Sequence, residues 1–217
     1  YLAQANNRLA PNGALIQGSD VSLIAGKNLN NAGTLRASSN LRATAGDSLV
    51  NSGLMEAGGR PGPAGHALAS GPCSGVIAGR DVSVVALTGD VTNERTVTTH
   101  ESDSGYRSER TDFIDSAARI EAGNNLTISA GRDINSVGGV LKSGADTTLN
   151  ATRDVNLIAA ERITSGTRGR HRDQDIKQYG SSLDSGRDLT VNAGRNLTVV
   201  GTQIDAKRDV AMAAQGN

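Results

Sequence analysis

A nine-residue frame recurs along this chain: apolar, any, apolar, any, Ala, Gly, any, Asp or Asn, apolar. Residues 21–29, 126–134 and 189–197 fit it in full. Residues 41–49 carry Ser48 in the eighth place, and residues 147–155 are a weaker copy with Thr152 in place of Gly. Residues 82–91 form a copy one residue longer, and Val210 opens a seventh. Six residues before each frame stands a second element, apolar-any-small, as at Leu35, Ile120, Leu141, Leu183 and Ile204. A third, apolar-any-Asn, supplies Asn31, Asn51 and Asn93. Gly13, Gly33 and Gly53 lie twenty apart, and Ile120 and Leu141 twenty-one apart.

This spacing constrains the fold. Alternation at i and i+2 puts one set of side chains on one face of a strand. Ala-Gly-any-Asp/Asn then turns the chain, since Gly and Asn tolerate the left-handed backbone of tight corners. About twenty residues give three short strands and three corners, one turn of a solenoid. One coil cannot bury its own apolar edge, whereas stacked coils bury it against each other. The repeats predict an all-β, parallel β-helix (β-solenoid) of seven to eight coils, a rod on the order of 35 Å long at about 4.8 Å per coil. A helical fold is excluded by the period of 2 and by Gly, Asn, Asp, Ser and Thr in every apolar run. An ordinary sandwich would space its strands irregularly and use larger core residues.

Composition agrees. Aromatics are 2% of residues, with no Trp. Ala, Val, Leu and Ile suit a narrow interior where each inward residue meets its equivalent in the next coil, whereas large rings would distort it. Lys plus Arg and Asp plus Glu are 22 each, so net charge gives no general attraction to nucleic acid or an anionic membrane. The first residues have neither an initiator Met nor a signal-peptide layout, which reads as a segment of a longer chain. The lone Cys73 makes no internal disulfide.

The whole chain, 1–217, reads as a single repeat domain with insertions at about 59–75, 94–117 and 161–180. The first is rich in Gly and Pro and holds His66, implying an irregular loop; Val76-Ile77-Ala78-Gly79 then resumes the frame begun at Met55. The other two have strand-like flanks around polar centres and predict two projecting β-hairpins. They contain every aromatic except Tyr1. Their candidate contact surface is Tyr106, Arg107, Phe113, Arg168, Arg170, Arg172 and Tyr179. The alternative is that the hairpins pack on the rod and stiffen it.

Little else points to chemistry. His66, His100 and His171 are isolated, and no paired Cys, Walker loop or calcium loop occurs, so no metal or cofactor is expected. The Arg168–Arg172 cluster could grip phosphate, but Asp173 and Asp175 follow it, favouring a solvated mixed-charge loop. At the corners, Asn28, Asp133, Asp154 and Asn196 are expected to hydrogen-bond local backbone N–H groups. Asn31, Asn51 and Asn93 are expected to form a structural amide stack. A polysaccharide-cleaving β-helix would need clustered charge with aromatic sugar platforms, which the shaft lacks, so no enzyme is expected.

Residues 125–134 and 188–197, with 30–35, resemble filamentous haemagglutinin repeats. The resemblance covers nearly the whole chain, polar insertions included. It implies a right-handed β-helical filament secreted to the bacterial surface through an outer-membrane transporter, by two-partner secretion in a Gram-negative host. Such exoproteins include adhesins and contact-dependent growth inhibition effectors of the CdiA type, whose repeats form the stalk of a toxin-delivery device. Partners implied are that transporter and a receptor or glycan on a neighbouring cell. Open terminal coils make end-to-end self-association a further expectation.

Overall fold

The computed structural model describes residues 15–52, 54–55, 76–103, 107–114, 117–168 and 171–216. The loop expected at 59–75, with His66 and Cys73, lies outside the described residues, as do Tyr1, Tyr106 and Arg170.

The chain winds through three strand positions per coil. The first coil is β1 (Leu15–Gly18), β2 (Val21–Ala25) and β3 (Leu29–Asn31), and the second is β4 (Thr34–Ala37), β5 (Asn40–Ala45) and β6 (Leu49–Asn51). In the third, β7 (Leu54–Met55) and β8 (Val76–Gly79) share the first position, followed by β9 (Asp81–Ala86) and β10 (Val91–Glu94). After β10 the chain leaves the shaft for β11 (Val97–Asp103) and β12 (Arg107–Ile114). It returns for β13 (Arg119–Ala122), β14 (Leu126–Ala130) and β15 (Ile134–Val137), then β16 (Val140–Ser143), β17 (Thr147–Ala151) and β18 (Val155–Ile158). A second excursion forms β19 (Ala160–Arg168) and β20 (His171–Tyr179). The shaft resumes as β21 (Ser181–Ser185), β22 (Leu189–Ala193), β23 (Leu197–Val200), β24 (Thr202–Ala206) and β25 (Val210–Ala214).

Three sheets follow, each built of strands one coil apart. One runs β1-β4-β8-β13-β16-β21-β24, a second β2-β5-β9-β14-β17-β22-β25, a third β3-β6-β10-β15-β18-β23. Every pairing along them is parallel. The protein is a parallel β-helix.

The repeat frame is the register. Its first apolar place stacks Val21, Leu41, Val82, Leu126, Thr147, Leu189 and Val210. Its third stacks Leu23, Ala43, Val84, Ile128, Leu149, Val191 and Met212. Central members of both columns are buried. Thr147 occupies an apolar slot because its hydroxyl meets Ser143 Oγ at 2.7 Å, and Ser143 and Ser185 both donate to the Ala145 carbonyl. The extra residue between β9 and β10 is accommodated at a corner where Leu87 is pushed into solvent.

The corners hold two findings. At most stacked corners the Gly of Ala-Gly serves close approach rather than a left-handed backbone, though Thr152 takes the same place in one coil. Only Gly138 and Gly201 have positive φ among the described glycines, whereas a Cβ on Gly46 would stand 2.2 Å from the Gly26 carbonyl oxygen. The corner Asp and Asn side chains reach to the next coil rather than staying local. Asn28 accepts the Ser48 N–H, Asp133 that of Asp154, and Asp154 that of Asn196. A carboxylate at one level thus caps the backbone at the next, and Arg195 Nε adds a bond to Asp154 Oδ1 at 2.9 Å. Inside, the amide stack forms as a ladder. Asn31 Nδ2 donates to Asn51 Oδ1 at 2.9 Å, Asn51 Nδ2 to Asn93 Oδ1 at 3.2 Å, and Asn93 Nδ2 to the Ala118 carbonyl.

Candidate contact surface

Both excursions leave the same corner of the shaft, two coils apart, and they join. β11 pairs β12, β12 pairs β19 and β19 pairs β20, all antiparallel, giving one four-stranded sheet. The sequence predicts two hairpins; the structure makes them one fin. The reason is dimensional. Two coil rises are about 9.6 Å, the width of a two-stranded hairpin, so neighbouring hairpins meet at strand spacing. The coil between them makes no excursion. It turns tightly at Gly138, whose φ of 59° and whose distance of 2.6 Å from a notional Cβ to Ala160 Cβ admit no side chain.

The seam between the hairpins is backbone-paired from Arg107 and Arg168 at the tip to Thr111 and Thr164. Toward the shaft a side chain takes over. Asp112 is only 3% exposed, and its Oδ2 accepts the Ile163 N–H at 3.0 Å. Its Oδ1 accepts from Thr99 Oγ1 at 2.8 Å and Arg110 Nε at 3.2 Å. The Ile163 N–H, then Thr99 and Arg110, hold this carboxyl below its ordinary value against the opposing effect of burial. Arg95 fixes the root: its Nε donates to the Gly138 carbonyl at 3.1 Å, and its guanidinium stands 5.3 Å from the Tyr179 ring centre.

Alternation gives the fin two faces. One carries Arg107, Glu109, Thr111 and Phe113. Phe113 is 57% exposed and borders a shallow hollow of about 260 Å³ with His100, Ser102, Glu109 and Thr111. The opposite face carries Arg110, Asp112, Ile163 and Arg172. Near the shaft it overhangs a crevice of about 590 Å³, with Glu94, Arg95 and Val137 on the shaft side.

The candidate contact residues therefore separate. Arg107 and Phe113 share one exposed face. Arg168 pairs with Arg107 and His171 at the tip of that face by backbone register, and its side chain lies outside the described residues. Arg172 is exposed on the other face. Tyr179 is half-buried at the root of the fin, beside the Arg95 guanidinium. Asp112, Thr99 and Arg95, which build the seam and the root, were not among the sequence candidates. Each is an ordinary polar residue in a polar stretch: Asp112 meets Ile163 of the other hairpin, Thr99 supports Asp112 from the strand beside it, and Arg95 meets Gly138 and Tyr179.

No group of His, Cys, Asp and Glu suited to a metal ion occurs among the described residues. No helix among them is long and apolar enough to cross a membrane.

A parallel shaft bearing a lateral antiparallel fin defines a repeat-built protein that presents surface along its length. Hemagglutinin repeat models match it: one at residues 97–174 and again at 163–217, which is more than half of the chain, and another at residues 2–56. The chain belongs to the haemagglutinin repeat family. Repeats of this family are structural and adhesive segments typical of secreted or cell-surface bacterial adhesins. No curated protein and no solved structure matches the chain.

Proposed function

We propose that this chain is a stiff stalk segment of a large secreted bacterial surface filament, used for adhesion or for contact-dependent toxin delivery to neighbouring cells. Residues 1–217 act as one β-helical domain. The observation that supports this most is the continuous register of the three parallel sheets, which ties each described level to the next by backbone bonds, reinforced at the corners by Asp, Asn and Ser side chains. A rod so built gains length with each coil and holds a distal part away from the cell. Export runs through an outer-membrane transporter by two-partner secretion, and a segment excised from the filament associates end to end through its open coils.

A second reading is favoured by the exposed Phe113 beside its hollow: the fin is a receptor- or glycan-binding surface. Arg107, Phe113, Arg168 and Arg172 are its contact residues, with Tyr106 and Arg170 at the hairpin tips by sequence and Tyr179 as support. The test is binding of the purified segment to intact Gram-negative cells, beside a variant with both hairpins replaced by short turns. Binding lost with the fin, while the β-sheet circular dichroism signal remains, assigns recognition to the fin. No binding by the intact segment favours a passive stalk.

A further inference from the structure

The fin ends at β20, an unpaired edge among the described residues. Equivalent positions of the two hairpin-bearing coils keep one offset in the shaft and in the fin: 91 and 155, 100 and 164, and 111 and 175 are each 64 residues apart. The second hairpin is therefore the first one carried up two coils without slip. A third, two coils on, would lay its outward-running strand along β20. The residues of β20 from His171 to Gln178 are all exposed, and β20 ends the sheet.

We propose that the open edge of β20 is a docking edge for an outward-running strand of the β11 type, carried by a further hairpin of the same filament. This rests on the reading of the chain as part of a longer filament. β11 has the right sequence for the place. The constant register would set His100 beside Asp175 and Asp103 beside Arg172. The two rungs between would set Glu101 by Gln174 and Ser102 by Asp173. That alignment holds one opposite-charge pair, Asp103 with Arg172, sets an imidazole beside the Asp175 carboxylate, and places no like charges opposite each other. A second copy of β20 could also set Lys177 beside Asp175 twice, but that contact would join two shafts edge to edge and would not continue the register that already joins β12 to β19. The joined seam β12–β19 is the same kind of contact already made. Hairpins on alternate coils would then fuse into one ridge along the shaft.

The experiment mixes the whole 217-residue chain with a fluorescein-labelled synthetic peptide of residues 97–114 and reads anisotropy. The expected result is saturable binding, weakened about fivefold by Arg172→Glu in the chain, in line with exchange of an attractive for a repulsive cross-strand pair. A peptide carrying Asp103→Arg is expected to bind the Arg172→Glu chain at the original strength. Absence of saturable binding, or binding indifferent to Arg172→Glu, overturns the proposal. Sedimentation of the chain alone as a dimer that Lys177→Glu dissociates gives the edge to a second copy and also overturns it. Cell binding of the segment is read separately, so failure here leaves the filament reading to its own assay.

Discussion

Truncation of Ile128 measures the stacked interior directly. Ile128 is 1% exposed, with Val84 directly below and Leu149 directly above in register. Ile128→Ala removes three carbons, about 2.4 kcal/mol of transfer free energy at roughly 0.8 kcal/mol per methylene. The space left cannot close readily. Its neighbours are fixed at about 4.8 Å spacing by backbone bonds to the coils on both sides, so a cavity term adds to the loss. The total is about 3–4 kcal/mol. At about 2–4 °C per kcal/mol for a chain of this size, the melting temperature should fall by roughly 6–16 °C. The control is Ile24→Ala, the same truncation at an outward place of the frame where the side chain is 82% exposed. Its cost should be under about 1 kcal/mol, because most of the removed surface already meets water. Urea titrations followed by circular dichroism, with unchanged m-values, compare the two. Equal losses at 128 and 24, or a loss under about 1 kcal/mol at 128, would refute the stacked-column account.

Asn51→Leu should destabilise the chain by about 2–4 kcal/mol in the same titration, because it leaves the buried Asn93 Oδ1 without its donor and removes two ladder bonds. Gly138→Ala should cost about 1–3 kcal/mol for its left-handed backbone and contact with Ala160, whereas Gly166→Ala, with open space around its notional Cβ, should be close to neutral; thermal melts compare them. Asp112→Ala should accelerate hydrogen exchange at the Ile163 amide and leave that of Ile128 unchanged; equal acceleration at both would count against a local seam. Acid should weaken the protein in a defined window. The carboxyls of Asp90, Asp112 and Asp188 lie below their ordinary values, chiefly through bonds from Arg132, the Ile163 N–H and Arg208, and that of Asp154 is held at about 2 by Arg195. Lowered native values mean stability fully present above the unfolded value of about 3.9 and lost as pH falls through the native values. Melting temperature should hold from neutral to about pH 5 and drop below about pH 4, the Asp154 contribution persisting toward pH 2.

The shaft was legible residue by residue. A frame with period 2, closed by Ala-Gly-any-Asp/Asn, names its own register: aligning residues 126–134 with 189–197 in sequence already stacks Leu126 near Leu189 and Ile128 near Val191, by way of Thr147 and Leu149. That works because each coil contacts only its neighbours, so local sequence and tertiary neighbour carry the same information. The amide ladder of Asn31, Asn51 and Asn93 was readable for the same reason. The roles of individual groups were less so. The glycine of Ala-Gly and the Asp beside it both answer to the coil next door, a distance that no single frame contains: a missing Cβ makes room for a carbonyl of the adjacent coil, and a carboxylate receives its N–H.

The fin is what only the tertiary structure decided. Sequence shows two polar insertions with strand-forming flanks and no pattern linking Asp112 to Ile163 or Arg95 to Tyr179. Their union depends on where the stacked shaft releases them: one corner, two levels apart, at a separation equal to the width of a hairpin. A repeat writes its own contacts into the chain at fixed intervals, whereas a contact between two insertions is set by the geometry of the scaffold that carries them.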